Sequence, residues 1–170
     1  MTTHSITVEH NFETAHRLPH LEGKCQSLHG HSWRAQVTVS APSLTGRNQL
    51  GASSAGTVVE FGRFKKLMRE WIDDRLDHGT MLGLRDPLVG PLREDGCKVF
   101  VFGAEWEGGD WGGAQWPTVE AVAALLAAQA YGWLSSMWDD PMDTTIAART
   151  EVTRVHVTET AVNAAVWEAR

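Results

Sequence analysis

The chain has 170 residues, of which 42% are hydrophobic and 21% charged, with a formal net charge of −6. This suits a single globular domain with its own core, and the negative charge argues against a general nucleic-acid-binding or anionic-membrane surface. The chain has no apolar stretch of membrane-spanning length and no signal-peptide pattern near residue 1, so a cytoplasmic protein is expected.

The first elements are predicted from alternating apolar and polar residues. This pattern predicts half-buried strands over residues 4–13 and 30–40, joined by a loop at 17–28. Residues 41–56, rich in Gly, Ser and Ala, are predicted to be a surface connection, followed by a short strand at 57–61.

The middle of the chain changes to helical periodicity. Apolar residues recur at helical spacing from Phe64 to Leu76, which predicts an amphipathic helix that stops near Gly79. A second helix is predicted after Pro117, with Thr118 as its cap.

Strand patterns return near the end, at residues 152–159 and 161–168. Between the helices, residues 85–116 are predicted to be an irregular Gly/Trp-rich insertion with a short strand at 98–102. We expect one α+β domain over residues 1–170, whose helices cover one sheet face. The other face and both sheet edges then need cover, which favours oligomerisation.

The strongest chemical pattern is a group of three histidines around a cysteine. His29 and His31 are two residues apart, so an extended strand directs both to one side. His16 lies at the end of the first strand and converges on them if the two strands form a hairpin. Three neutral imidazoles leave one position open on a tetrahedral zinc, which is typical of a catalytic site. Gly30 is expected to let the backbone fold tightly between the ligands.

Two roles remain open for Cys25. It could be a fourth ligand that closes a structural zinc site, since spacing does not exclude this. A thiol beside a cation could instead act as a thiolate base or nucleophile. The other cysteine, Cys97, is expected to be inert. The alternative for the histidines is scattered surface or core positions.

The remaining polar candidates are individually weak. Asp77 and His78 could form a carboxylate–imidazole pair where the helix ends, or a favourable helix C-terminus. Glu159 shares strand parity with apolar residues and could accept hydrogen bonds from an amino-imino edge, unless the strand ends at residue 158. Thr118 and Glu120 are by default a helix cap and a first-turn acid.

The order of these motifs resembles the 6-pyruvoyltetrahydropterin synthase / 6-carboxytetrahydropterin synthase family. The motifs are H-x8-C-x3-H-G-H, G-T-V-V-E-F, L-D-H, P-T-x-E and V-T-E. The resemblance implies the tunnelling fold, in which a four-stranded antiparallel sheet carries two helices on one face. It also implies an oligomeric barrel, usually a hexamer of two trimers with active sites at subunit interfaces.

The resemblance also implies a role for each candidate residue. The zinc ligands would be His16, His29 and His31. The catalytic residues would be Cys25, Asp77 and His78. The pterin would be anchored by Glu159, with Thr118 and Glu120 beside it. Lys24, Arg17 or Arg34 could hold the phosphates, an expectation based on charge alone.

The implied substrate is 7,8-dihydroneopterin triphosphate, a small molecule. The K-C-Q-S-L-H-G-H and R-L-P-H stretches resemble the carboxy-forming branch of 7-deazapurine (queuosine-type) biosynthesis, which releases acetaldehyde and triphosphate. The alternatives are the pyruvoyl-forming branch, a zinc hydrolase on the same histidines, and a non-catalytic pterin- or metal-binding module.

Three departures from the family pattern are visible. Glu60 stands where the family more often has Asp, in a position expected to be structural. Gly79 follows His78, where many bacterial members have another histidine. The 85–116 segment is longer than usual, and its tryptophans are expected to cover the pterin pocket or a subunit contact.

Overall fold

The computed structural model describes residues 3–45, 56–106, 114–138, 147 and 149–170. In these ranges the chain forms one mixed sheet, three α-helices and a short 3₁₀ helix at Lys24–Gln26. The strands are β1 His4–His16, β2 His29–Ala41, β3 Gly79–Gly83, β4 Val99–Phe102, β5 Glu151–Thr158 and β6 Ala164–Glu168. The helices are α1 Phe61–Arg75, α2 Val89–Glu94 and α3 Val119–Trp138.

The two long strands pair as the hairpin that convergence of the histidines required, and each is longer than expected. They pair antiparallel in continuous register from His4 opposite Ala41 to His16 opposite His29. Side chains on one face of the hairpin, including Phe12 and Trp33, are buried in the core. This burial explains why the alternation was readable in the sequence.

The sheet has six described strands in the order β4-β3-β1-β2-β5-β6, so the expected four-stranded antiparallel sheet is present and is extended by two further strands. The antiparallel part is β1-β2-β5-β6, while β3 pairs parallel with both β1 and β4. The strand predicted at 98–102 is confirmed as β4. The β3 strand was missed because parallel strands lie in covered regions and lack simple alternation.

The two longer helices, α1 and α3, pack on one face of the sheet. Apolar residues of α1 and α3 join the inward strand residues in one core, as expected for two helices on one face. The α2 helix was not predicted within residues 85–116. It packs on a separate cluster around Leu82, Val99 and Val101. None of the described helices is long and apolar enough to cross a membrane.

The strand predicted at residues 57–61 is wrong, because α1 begins at Phe61. The Glu60 side chain accepts hydrogen bonds from the backbone N–H groups of Gly62 at 2.7 Å and Arg63 at 2.6 Å. Glu60 is therefore the N-cap of α1, which supports the structural role expected for it.

The opposite face of the hairpin is polar and exposed. Thr7 and Thr38 hydroxyls lie 2.9 Å apart across the strands, and Gln36 Nε2 donates to Glu9 Oε2 at 2.7 Å. Cross-strand pairs of this kind stabilise a sheet without a covering layer. The described chain therefore has a core on one side of the hairpin and a polar surface on the other.

Candidate metal and active site

The three histidines converge, as their spacing predicted. His16 is the last residue of β1 and pairs directly with His29, the first residue of β2, while His31 lies two residues further on the same face. Their ring centroids are 4.7 to 5.3 Å apart, and one nitrogen from each lies within 4.8 Å of the others. The hairpin therefore brings together three nitrogen donors that could hold a metal ion.

Gly30 was expected to allow a tight backbone turn between His29 and His31, and the structure shows no such turn. It pairs with Ala15 in regular strand register, and a Cβ there would meet Thr14 O at 3.6 Å, an ordinary contact. The histidines approach because strand pairing aligns them across the hairpin, so the backbone needs no special conformation at this position.

Backbone carbonyls orient two of the rings. His16 Nδ1 donates to Pro117 O at 2.9 Å, and His29 Nδ1 donates to Ser27 O at 2.8 Å. A proton on Nδ1 leaves Nε2 with a free lone pair, and such outer hydrogen bonds commonly fix the tautomer of a metal-binding histidine. These partners come from the turn before α3 and the loop before β2.

The buried His16 ring meets the requirement for a metal ligand. Its Nε2 atom is buried and accepts no hydrogen bond, although Glu159 Oε1 lies 3.3 Å away. An unpartnered buried nitrogen is costly unless something binds it. Burial lowers the pKa of His16 to about 4, assisted by His29 and His31 and opposed by the hydrogen bond to Pro117.

Burial and neighbouring charges also change the pKa of His31. Burial lowers its pKa; the Glu159 carboxylate works against this effect, while His29 adds to it. A metal binds the neutral form of imidazole, so lowered pKa values make His16 and His31 available at neutral pH. The donor set fits zinc, for which three histidines with an open fourth position form a catalytic arrangement.

Glu159 lies immediately beyond β5, which ends at Thr158 as the alternative interpretation required. Its carboxylate is nevertheless directed toward the histidine cluster, with its side chain 16% exposed. The backbone N–H of Glu159 donates to Asn163 O at 3.0 Å in the turn before β6. Glu159 therefore adds a carboxylate at the edge of the metal-binding group.

Asp77 and His78 form the expected pair just beyond α1. His78 Nδ1 donates to Asp77 Oδ2 at 2.8 Å, and Asp77 Oδ1 accepts from the backbone N–H of Glu13 at 2.7 Å. Although partial burial opposes it, the hydrogen bonds from Glu13 and His78 lower the pKa of Asp77. The ionised carboxylate holds the His78 ring with Nε2 free, and 81% of that side chain is exposed.

The Asp77–His78 pair and the histidine cluster are both attached to β1, the pair through Glu13 and the cluster through His16. Glu13, which holds Asp77, is three residues from His16, so their backbones are roughly 10 Å apart along the strand. An elongated substrate could reach both groups.

Cys25 lies in the exposed 3₁₀ helix of the loop between β1 and β2. Its carbonyl accepts from the backbone N–H of Leu18 at 2.7 Å, which folds the loop back toward the end of β1. In the described part of the chain, the metal-binding group contains the three histidines and not this thiol. Cys97 is also an exposed free thiol, outside that group.

The other predicted contacts are less direct. The Thr118 hydroxyl accepts from the N–H of Ala121 at 3.2 Å, so it caps α3, and Glu120 is exposed in the first turn. Arg17 binds the buried Asp86 through two hydrogen bonds of 2.7 Å, which makes it unsuited to hold phosphate. The carbonyl groups of Pro117 and Ser27 were missed because backbone acceptors have no sequence signal.

Of the three tryptophans in the 85–116 segment, Trp106 and Trp116 lie in the described part of the chain. Trp116 stacks on His20 with ring centroids 4.7 Å apart, and Trp106 packs edge-on against Phe102 at 5.7 Å. Trp111 lies outside the described residues. Cover of a pterin pocket by these rings stays a prediction.

Comparison with known proteins agrees with this fold and site. The model of the 6-pyruvoyl tetrahydropterin synthase family matches residues 5–170. A 6-carboxy-5,6,7,8-tetrahydropterin synthase of Synechocystis is 40% identical over 85 residues, 48% of this chain and 63% of that protein. The Rickettsia bellii protein of that name is 33% identical over 91 residues, 52% and 60% of the two chains. The matches thus span about 60% of these relatives' length.

Solved structures agree over the whole chain at the level of the fold. The 6-pyruvoyl tetrahydropterin synthase of Plasmodium vivax has a TM-score of 0.64 at 16% identity, with 99% of each chain covered. That of Caenorhabditis elegans has a TM-score of 0.59 at 19% identity, covering 100% of this chain and 98% of the other. Together with the family match, these results show that the chain belongs to the 6-pyruvoyl tetrahydropterin synthase family.

Proposed function

We propose that the chain is a zinc-dependent 6-carboxy-5,6,7,8-tetrahydropterin synthase. It would convert 7,8-dihydroneopterin triphosphate and water into 6-carboxytetrahydropterin, acetaldehyde and triphosphate, a carbon–carbon lyase reaction. The names of the curated relatives support this branch. The main structural support is the three-histidine cluster, whose buried His16 Nε2 has no hydrogen-bond partner.

His16, His29 and His31 would hold the metal. When bound, zinc would polarise the oxygens of the substrate side chain and make their protons easier to remove. The carbonyls of Pro117 and Ser27 keep two of the rings in the tautomer that this binding requires.

Two residues would move protons. Cys25, as a thiolate in the exposed loop, would act at a carbon of the substrate side chain. His78 would carry the other protons through its free Nε2, because Asp77 holds its Nδ1–H. In an oligomer, these groups could act on a substrate bound at a neighbouring subunit.

Glu159 would anchor the pterin through its amino-imino edge. Its carboxylate already lies beside His16, so a bound pterin would be held next to the metal. Thr118 and Glu120 would assist from the start of α3. The product would enter 7-deazapurine (queuosine-type) biosynthesis in the cytoplasm, and the working form would be a homohexamer.

Mass spectrometry of the products from zinc-loaded protein and 7,8-dihydroneopterin triphosphate tests the proposal. We expect 6-carboxytetrahydropterin together with acetaldehyde. A pyruvoyl product would transfer the chain to the other branch of the family. Unchanged substrate with metal bound would contradict both and favour a binding module.

Cys25→Ala separates a synthase from a hydrolase built on the same histidines. We expect kcat to fall on the order of 10²–10⁴-fold, the usual contribution of a general acid–base group. The matched control is Cys97→Ala, which removes the other exposed thiol. Zinc-hydroxide hydrolysis needs no thiol. A kcat of Cys25→Ala equal to that of the wild type would therefore support the hydrolase.

A further inference from the structure

The Lys98 side chain binds backbone carbonyls at the C-terminal end of α1. It immediately precedes β4, and its Nζ donates to Asp73 O at 2.7 Å and to Asp77 O at 2.8 Å. The last carbonyls of a helix lack intrahelical partners and carry partial negative charge. A lysine ammonium therefore suits this position both as a donor and as a charge.

Gly79 provides the space for the Lys98 side chain. A Cβ at Gly79 would lie 3.1 Å from Lys98 Cδ and 3.2 Å from Lys98 Cγ. It would also lie 3.0 Å from Leu76 O. The Lys98 backbone is held in place as well, because its carbonyl accepts from Thr80 N–H at 2.9 Å. The stem of Lys98 thus occupies the volume that a side chain at residue 79 would need.

The peptide group between Asp77 and His78 is held at both ends. Its carbonyl oxygen accepts from Lys98 Nζ, and its N–H donates to Glu13 O at 2.7 Å. His78 has a φ of 52°, in the left-handed region that is unfavourable for a non-glycine residue. Such a conformation persists when its surroundings hold it in place.

We propose that Lys98 is a positioning residue for the Asp77–His78 pair. Its ammonium group fixes the 77–78 peptide, which keeps His78 left-handed and its ring on the Asp77 carboxylate. The positioning follows from the contacts alone, while its catalytic meaning rests on the proposed function. The 85–116 segment that carries Lys98 thereby acts on the Asp77–His78 pair through a side-chain contact.

Lys98→Met tests this directly, because methionine keeps most of the stem and removes the donors. We expect the NMR signals of the His78 imidazole to shift and lose the Nδ1–H tautomer. The turnover number kcat should fall roughly 10- to 100-fold with little change in KM, since small displacements of a catalytic group have effects of this order. Lys98→Arg keeps the charge, so its His78 NMR signals and its kcat should lie closer to the wild-type values than those of Lys98→Met.

Lys65→Met is the matched control, because it removes an exposed lysine ammonium from α1. We expect wild-type NMR signals and kcat for this variant. Unchanged His78 signals in Lys98→Met would overturn the proposal. The NMR comparison does not depend on turnover. If the wild-type protein lacked synthase activity, the proposed function would fail, and the spectra would still decide the role of Lys98.

Gly79→Ala gives an independent test that keeps the lysine. The added methyl group must displace the Lys98 stem, so His78 signals should shift in the same direction as in Lys98→Met. Gly90→Ala is the control, since a Cβ there would meet nothing within 4 Å. Gly79→Ala signals identical to those of the wild type would contradict the predicted coupling.

Discussion

At the scale of single residues, His16 combines a structural and a chemical role. Its ring is fully buried, bonded through Nδ1 to Pro117, and unpartnered at Nε2. A metal would satisfy that nitrogen, whereas the metal-free protein must keep the ring neutral inside the fold. We therefore expect the same residue to make the metal-free protein sensitive to acid.

We predict that His16 destabilises the metal-free protein as the pH falls from 6.5 toward 4, because its folded-state pKa is about 4. In this range the unfolded chain binds a proton that the folded chain does not, so the free energy of unfolding falls. The decrease in the free energy of unfolding reaches about 3 kcal/mol near pH 4. Denaturant unfolding of metal-free wild type and His16→Gln across this range measures it.

The comparison between the two proteins isolates His16, since the other titrating groups are common to both. The wild type should lose more of its stability on acidification than His16→Gln does. Stability curves that stay parallel across the range would show that His16 is not the group responsible.

At the scale of elements, the turn before α3 supports the metal-binding end of the hairpin. Pro117 O holds His16, and the neighbouring Trp116 packs against Gly83 at the end of β3. A Cβ at Gly83 would lie 2.4 Å from Trp116 Cε3 and 2.5 Å from Gln115 O. The close approach of this turn to β3 therefore requires glycine.

We predict that Gly83→Ala displaces the 115–117 turn and with it the acceptor for His16. The overpacking should lower the free energy of unfolding by about 1–3 kcal/mol. Zinc affinity should fall as well, about 10-fold or more, because an outer hydrogen bond to a ligand is disturbed. Denaturant unfolding and competitive zinc titration measure the two effects.

Gly132→Ala is a suitable control, since a Cβ there would meet nothing within 4 Å and the residue lies within α3. It should stabilise the helix by about 0.5–1 kcal/mol and leave zinc affinity unchanged. Wild-type zinc affinity in Gly83→Ala would mean that the turn does not support the site.

At the scale of the whole molecule, the described sheet ends at β6 with an open edge. Val166 in that strand is 46% exposed, and Val162 in the preceding turn is 89% exposed. Unpaired strand edges readily join another chain, and the polar outer face of the hairpin also lacks a covering layer. These features suit the oligomeric barrel expected from the family resemblance.

If the chain forms the proposed hexamer, we predict that Val166→Lys reduces it to smaller species, because a charge on an edge strand opposes pairing. Light scattering after gel filtration gives the mass, and circular dichroism checks that the subunit stays folded. Val162→Lys adds the same charge outside the strand and should retain the wild-type mass. An unchanged mass in Val166→Lys would exclude β6 from the subunit contact.

The sequence by itself determined the two long strands, two of the helices and the common face of His29 and His31. These follow from the period and parity of neighbouring residues, which are local properties. That His16 joins the other two histidines depended on the pairing of the two strands, which the structure supplies. The pairing of Asp77 with His78 was also accessible, since the two residues are adjacent and the helix ends there.

The tertiary structure alone decided how these groups are held. Pro117 binds His16 across 101 residues of sequence, and Lys98, at the start of the short strand predicted within residues 85–116, reaches Asp77 across 21 residues. Glu159 faces His16 although its strand has already ended. No local pattern identifies the partners of His16 and Asp77, because long-range packing brings these groups together and backbone carbonyls are the same in every residue.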